Sequence, residues 1–437
     1  MAYMRPAITR IAKQKKKMEE RAGKLIIRYP AYLYTLFYAF GLYLVLPLID
    51  VPLLGLSISA PIFFVIAATV IFKPVKPWFK EHQGWIILSL SIWLAVALST
   101  IINEMLPGGS FNRSGMISIL QYAYWLLVFV VCGYLFRDGE VRKRTIDVFA
   151  FGSLVLGILR WVEALIFGRI GAWSGTQIMT QNGYGFQFSA FYPFLIYKVF
   201  NLSTRKKGWW ILGTAMTLGA IAINGSRGSW VAIAIGFSLM VFLFFLYSPR
   251  STFYGLSILL VLTILGGLVL SVSPELNLAV SSRIDSMTSL DEDKSYVVRK
   301  VLVQKGLKLF EESPIIGVGS LRFTEEKTNL ELPELLSHAN IEIIERKQSH
   351  NSYIQFLAEF GLLGSIPFLL LLLGLLLQLY GLRKRVIQSG ELQIVAIFIS
   401  FVQMLTHIWV INALTSTMFW AMLGLVAGAG KEDVQVK

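Results

Sequence analysis

Hydrophobic positions in this chain gather into long runs separated by short polar links, along most of its length. The runs fall at 31–49, 53–72, 84–102, 116–136, 146–167, 183–200, 209–223, 229–247, 253–272, 353–380, 391–411 and 413–430. Each is close to the ~20 residues that a helix needs to cross a bilayer. The seventh is short. The pattern predicts an all-α polytopic membrane protein of about twelve transmembrane helices. Residues 1–30 form a basic tail, 31–272 hold helices one to nine, 353–430 hold helices ten to twelve, and 431–437 form a second tail. Between the ninth and tenth helices, residues 273–352 make one large polar loop.

The links supply orientation. Arg5, Arg10, Lys13, Lys15, Lys16, Lys17, Arg21, Lys24 and Arg28 crowd the first tail. Alternate links then carry Lys73, Lys76 and Lys80; Arg137, Arg142, Lys143 and Arg144; Arg205, Lys206 and Lys207; Arg250; and Arg383, Lys384 and Arg385. The intervening links hold the single cations Arg113, Arg169 and Arg227. Cytoplasmic loops collect lysine and arginine, so both termini are expected in the cytoplasm and the large loop outside. An odd number of spans would break the alternation. Within the loop, 296–312 reads as an amphipathic helix that could lie on the membrane surface, followed by a turn at Pro314, Gly317 and Gly319.

Composition agrees: the 437 residues are 55% hydrophobic and 15% charged, too few polar residues to cover a soluble domain of this length. The net charge of +14 follows the cytoplasmic links and the first tail, so it reads as contact with an anionic leaflet and not as a nucleic-acid surface. The single cysteine, Cys132, lies in an apolar run and excludes an internal disulfide. No cleavable leader is expected, because the first tail is long and basic and no small-residue cleavage site precedes the second run. Walker, dinucleotide, zinc-histidine and nucleophile-elbow motifs are missing from the sequence, and the acids at 291–293 lack a calcium-loop pattern.

Candidate chemistry is sparse. Arg227 sits in Asn224-Gly225-Ser226-Arg227-Gly228-Ser229, a short outer link where a cation runs against the orienting charge gradient. A guanidinium between glycines suits bidentate phosphate contact; the bland alternative is a snorkelling residue at lipid headgroups. His350, in Ser349-His350-Asn351-Ser352-Tyr353, lies where the loop re-enters the membrane, and a near-neutral imidazole there suits a general base. His407, near the outer end of helix eleven, is its main rival; His82 and His338 fall in the cytoplasm and in mid-loop. Arg299 and Lys300 on the amphipathic helix read, by themselves, as a solvated face. Arg160 and Glu163, one turn apart in helix five, pair with each other and line at most a polar cavity.

The order of motifs from 226 to 364 is distinctive. Ser226-Arg227-Gly228 is followed by Arg299, then Pro314-Ile315-Ile316-Gly317-Val318-Gly319, then Ser349-His350-Asn351-Ser352-Tyr353, then Glu359-Phe360-Gly361-Leu362-Leu363-Gly364. Together with the single large outer loop, this resembles the O-antigen ligase and O-antigen polymerase superfamily of membrane glycosyltransferases. The amino-terminal half is similar only in helix count. The resemblance implies transfer of a polyprenyl (undecaprenyl) diphosphate-linked glycan to an acceptor hydroxyl on the outer face of the bacterial inner membrane, in polysaccharide biosynthesis of the cell envelope. It implies no metal and no cofactor, because the lipid diphosphate is itself the leaving group. By motif, Arg227 and Arg299 would bind the diphosphate and His350 would act on the acceptor hydroxyl. Glu359, His407 and Arg160 are weaker candidates, and Glu359 has loop ordering as its alternative role. Partners are the carrier-linked donor, a glycan or lipid-linked acceptor and membrane lipids.

Three functions stay open at this level: a ligase, a polymerase that extends a carrier-linked glycan, and a small-anion transporter. Transporters place binding charges near the bilayer midplane, often within internal repeats, whereas these charges lie at the outer face and no repeat is evident. The long lysine-rich tail departs from the family pattern, and nothing identifies a lipid A core as acceptor.

Overall fold

The structure is a computed structural model that describes residues 31–45, 59–71, 80, 82–105, 113–167, 179–201, 207–288, 292–328, 330, 332–338, 340–383, 385–386 and 391–430. Both tails, the acid Asp291 and the link cations Lys73, Lys76, Arg169, Arg205, Lys206 and Lys384 lie outside the described residues. Among the described residues there is no strand. Every apolar run carries a helix: α1 (Ala31–Val45), α2 (Ser59–Ile71), α3 (Gln83–Met105), α4 (Arg113–Phe136), α5 (Gly139–Phe167), α6 (Gln181–Phe200), α7 (Lys207–Asn224), α8 (Arg227–Tyr247) and α9 (Pro249–Val272) precede the loop. The loop holds α10 (Pro274–Thr288), α11 (Lys294–Glu312) and α12 (Ile341–Glu345), and α13 (Ser352–Gly381), α14 (Leu392–His407) and α15 (Thr417–Ala429) follow it.

Six of these helices, α3, α4, α5, α8, α9 and α13, are long and apolar enough to cross a membrane by length and composition. That is fewer than the about twelve that the runs predict by length. α1, α14 and α15 are shorter apolar helices. α6 has a different reason for falling short. It is buried along almost its whole length, from Tyr184 to Ile196, so it is surrounded by protein and tolerates Gln187, Ser189 and Tyr192. α9 is the opposite case, presenting Phe253, Leu260, Val261, Ile264 and Leu265 outward, a surface that suits hydrocarbon and not water. The chain is an integral membrane protein of the helical class.

Polar side chains hold the centre. Ser400 of α14 donates to the Ala190 carbonyl of α6, and Gln403 Nε2 donates to the Ile233 carbonyl of α8 at 3.4 Å. These bonds tie α14 to α6 and to α8.

The loop is not an open stretch. α11 takes the place predicted for the amphipathic helix, but its apolar face does not lie on the membrane surface. Val297, Val301, Leu302 and Leu309 pack with Phe323, Leu330, Leu336 and Ile344 of the loop and with Ala358 of α13 in a small separate core. Sequence periodicity shows that one face is apolar; it does not say what covers it.

Two of the family-like motifs turn out to be halves of one joint. α13 is broken at Gly361, which has φ 56° and ψ −158°. The break frees backbone groups that must find other partners. The 314–319 turn supplies them: Val318 and Gly319 donate to the carbonyls of Ala358 and Glu359 at 3.0 and 2.9 Å, and Leu362 and Leu363 donate to those of Pro314 and Ile315, both at 2.9 Å. Ser99 and Asn103 of α3 add bonds to the Glu359 and Gly317 carbonyls at 2.8 and 3.0 Å. A Cβ at Gly361 would overlap the Ile315 carbonyl, and one at Gly317 would overlap the Glu359 backbone. Gly361→Ala therefore combines a backbone region open almost only to glycine, worth ~1–3 kcal/mol, with a steric clash. The expected result is a clearly lower thermal midpoint in detergent. An unchanged midpoint would contradict the joint.

Candidate active site

α7 and α8 are separated only by Gly225 and Ser226, with Gly225 at φ 64° making the reversal. Asn224 ties the turn to the start of α6, exchanging bonds of 2.7 and 2.9 Å with Gln181. Arg227 is therefore the first residue of α8 and not a link residue as the run boundaries suggested. A cation at a helix N-terminus opposes the helix dipole. Asp293 offsets that opposition, with its Oδ2 2.9 Å from Arg227 Nη1. The same carboxylate caps α11, accepting from the Tyr296 N–H at 2.9 Å. Burial raises the Asp293 pKa, and the stronger combined pull of Arg227 and the helix N–H groups holds it below the ordinary carboxylate range. Neither partner is far from water: the side chains are 15% and 17% exposed.

Arg299 lies further along α11, half-buried. Burial lowers its pKa first, Arg227 lowers it further, and Asp293 acts in the opposite sense. A guanidinium stays charged through such a shift, so the meaning is geometric: Arg227 and Asp293 both lie within electrostatic reach of Arg299. His350 lies within electrostatic reach of Arg299. Its pKa is held below the usual imidazole value by burial, then by Arg299, then by Lys347. Arg299 thus lies within electrostatic reach of both Arg227 and His350, residues far from it in the chain.

The backbone at His350 is unusual, with φ 50° in the left-handed region that few side chains adopt. Its neighbours hold it there. Ser349 Oγ donates to the Asn351 carbonyl at 2.7 Å, and the Asn351 N–H returns a bond to Ser349 Oγ at 3.0 Å. Asn351 caps α13 through the N–H groups of Tyr353 and Ile354. Ser352 donates to the Ile411 carbonyl at 2.7 Å and accepts from the Ala413 N–H at 3.1 Å. Local strain sustained by such a frame is a common mark of functional sites.

The weaker candidates take different places. His407 is wholly buried, packed near Gly228 beside Arg227 and within electrostatic reach of Arg299, with its Nδ1 2.8 Å from Ser189 Oγ. Ser189 donates onward to the Gly185 carbonyl at 2.9 Å, so Nδ1 carries the proton and donates to Ser189. Glu359 is buried in α13, accepting from Gln355 Nε2 at 2.9 Å and from the backbone N–H groups of Leu321 and Phe323. Those bonds order the 321–323 turn. Arg160 and Glu163 pair at 3.8 Å as their spacing implies, with Arg160 over the face of Tyr184 and reaching the Ile223 carbonyl at 3.5 Å. That pair braces the turn that presents Arg227. Among the described residues, no group of three or more His, Cys, Asp and Glu side chains is placed to hold a metal ion.

The residue missed from sequence is Asp293. A signal existed, since an aspartate immediately before an amphipathic run is a common N-cap, but the same residue also closes an acidic run that reads as a solvated face.

These features describe a helical membrane protein with Arg299 and His350 on its large loop and Arg227 at the start of α8. Residues 212–369 match the family model described as O-antigen ligase, and this match supports membership of the O-antigen ligase superfamily. It takes in Arg227, Arg299, His350 and Glu359 and leaves Arg160 and His407 outside. No curated protein matches the chain.

Proposed function

We propose that the chain is a membrane glycosyltransferase of the ligase type, moving a glycan from a polyprenyl diphosphate carrier to an acceptor hydroxyl on the outer face of the cytoplasmic membrane. In this reading about twelve helices cross the bilayer, both termini face the cytoplasm and the 273–352 loop faces outward. The observation that carries it is the meeting of Arg227 and Arg299, with His350 beside Arg299.

Arg227 and Arg299 bind the donor's diphosphate, and Asp293 yields its place beside Arg227 to the incoming anion. The acceptor oxygen attacks the anomeric carbon, the bond from that carbon to the diphosphate oxygen breaks, and the polyprenyl diphosphate leaves with the electron pair. His350 takes the hydroxyl proton. Negative charge grows on the leaving oxygen, and fixed guanidinium groups stabilise it with little reorganisation. An apolar groove of about 410 Å³, lined by Ile221, Trp230, Ile233, Phe237 and Leu259, begins one turn below Arg227 and suits an isoprenoid tail. A transporter reading has less support. Broken membrane helices often bind ions through their free backbone groups, but at Gly361 the 314–319 turn already pairs the Ala358 and Glu359 carbonyls and the Leu362 and Leu363 N–H groups.

The test is purified protein in liposomes with a polyprenyl diphosphate-linked saccharide and native-host membranes as acceptor source. Acceptor-dependent release of polyprenyl diphosphate is expected. Chain growth on the carrier without those membranes would make it a polymerase, and no release under any condition would remove the transferase reading.

The pH profile adds a separate check. Transfer needs the neutral imidazole, and the His350 pKa is depressed. The base form therefore persists to lower pH than for an ordinary histidine. Transfer should be flat through neutrality and fall only below the usual imidazole range, as pH drops through the folded-state value. A midpoint above that range would contradict the environment assigned to His350.

A further inference from the structure

Arg299, within electrostatic reach of His350, Arg227 and Asp293, marks a charged place suited to an anion. Apart from it lies a narrow cleft between α4, the start of α13 and the link from α14 to α15, lined by Gln121, Gln348, Gln355, Asn412, Glu359 and Tyr122 among others. Gln348 and Ser352, the residues two before and two after His350, both line it.

The cleft's lining has a distinct chemistry. It holds four carboxamides, several hydroxyls, one carboxylate and three aromatic rings, with no lysine or arginine among its residues. An anion finds no counter-charge there. A neutral ligand rich in hydroxyls finds donors and acceptors in alternation, with ring faces beside them. The amides are already arranged: Asn412 Nδ2 donates to Gln348 Oε1 at 3.2 Å and to Gln355 Oε1, Gln355 Nε2 donates to Glu359, and Asn412 Oδ1 lies 3.2 Å from Ser349 Oγ. This chain links the cleft to the frame that holds His350.

We infer that this cleft is the acceptor subsite and that it takes the polar edge of a neutral saccharide. The inference rests on the transferase reading above and deepens it, by placing the acceptor in the cleft that Gln348 and Ser352, the residues flanking His350, help to line. The enclosed volume is about 40 Å³. That admits a few water-sized groups, so it seats one hydroxymethyl or ring hydroxyl while the rest of the glycan lies outside. Thr415, exposed at the mouth, and Gln121, half-buried in the wall, flank the entrance.

The experiment compares two fates of one donor. Wild-type protein, Gln121→Ala and Thr415→Trp are supplied with a polyprenyl diphosphate-linked saccharide, with and without native-host membranes as acceptor source. Transfer to the membranes and release of the saccharide to water are measured separately. Neither change touches the Gln355–Asn412–Ser349 bonds. Both variants should lose transfer at least about ten-fold, one missing substrate-binding polar contact's worth or more, while release to water stays at the wild-type rate. Wild-type transfer in both variants overturns the subsite. So does an equal loss of both reactions in Gln121→Ala, the milder change. If the wild type gives neither reaction, or Arg299→Ala loses neither, the transferase reading fails and the inference fails with it.

Discussion

Arg299→Ala lowers glycan transfer by about 10²–10³-fold, the loss seen when one fixed donor to a developing anion is removed. This corresponds to ~2.7–4 kcal/mol of barrier. Arg299 should matter at least as much as Arg227, because it is electrostatically coupled to both Arg227 and His350. Its removal takes one of two charges from the diphosphate site and also changes the field at the imidazole. Arg299→Lys keeps the charge but not the planar fork, so a partial loss is expected. The measurement is kcat/KM for carrier-linked donor in liposomes, with insertion and thermal midpoint checked in parallel. Activity within threefold of wild type in a correctly inserted Arg299→Ala protein would remove the diphosphate site from this place.

His350→Ala should cost about 10²–10⁴-fold in transfer, the range for losing a positioned general base. Here the backbone complicates the choice of variant. His350 has φ 50°, and alanine in the left-handed region costs roughly 1–2 kcal/mol, so His350→Ala alters stability as well as chemistry. Asparagine adopts that region more easily and cannot serve as a base at neutral pH. His350→Asn should therefore keep the thermal midpoint near wild type while losing transfer as fully as His350→Ala. If His350→Asn keeps both stability and activity, the imidazole is a turn residue and the acceptor proton goes elsewhere. Donor binding offers a second separation, because neither variant alters Arg227 or Asp293.

Much of this protein is legible in its sequence, and the misses have definite causes. The apolar runs locate the helices because run length is a local property, set residue by residue against bilayer thickness. The boundary at Arg227 was misplaced because a hydropathy run begins with its first apolar residue, whereas a helix begins where its backbone bonds begin. Pro314–Gly319 and Glu359–Gly364 were visible as motifs. Their purpose was not, since a helix break is tolerable only when another segment satisfies it, and that pairing spans residues far apart in sequence. The amphipathic helix was found within two residues of its start, yet its apolar face packs in a core of the loop and does not rest on lipid. Asp293 was seen as one acid in a run, because nothing local distinguishes a carboxylate that faces water from one that faces an arginine.

By itself, the sequence determined that this chain is a helical membrane protein, which short stretches carry cations, and that Arg227, Arg299 and His350 were worth examining. Tertiary structure decided which of those charges share a space. It paired Asp293 with Arg227, brought Arg299 within electrostatic reach of Arg227 and His350, and left Glu359 and Arg160 to hold backbone turns. The reason is that hydrophobic transfer sums over neighbouring residues, whereas electrostatic coupling depends on distance in space, and distance is fixed only when the chain has packed.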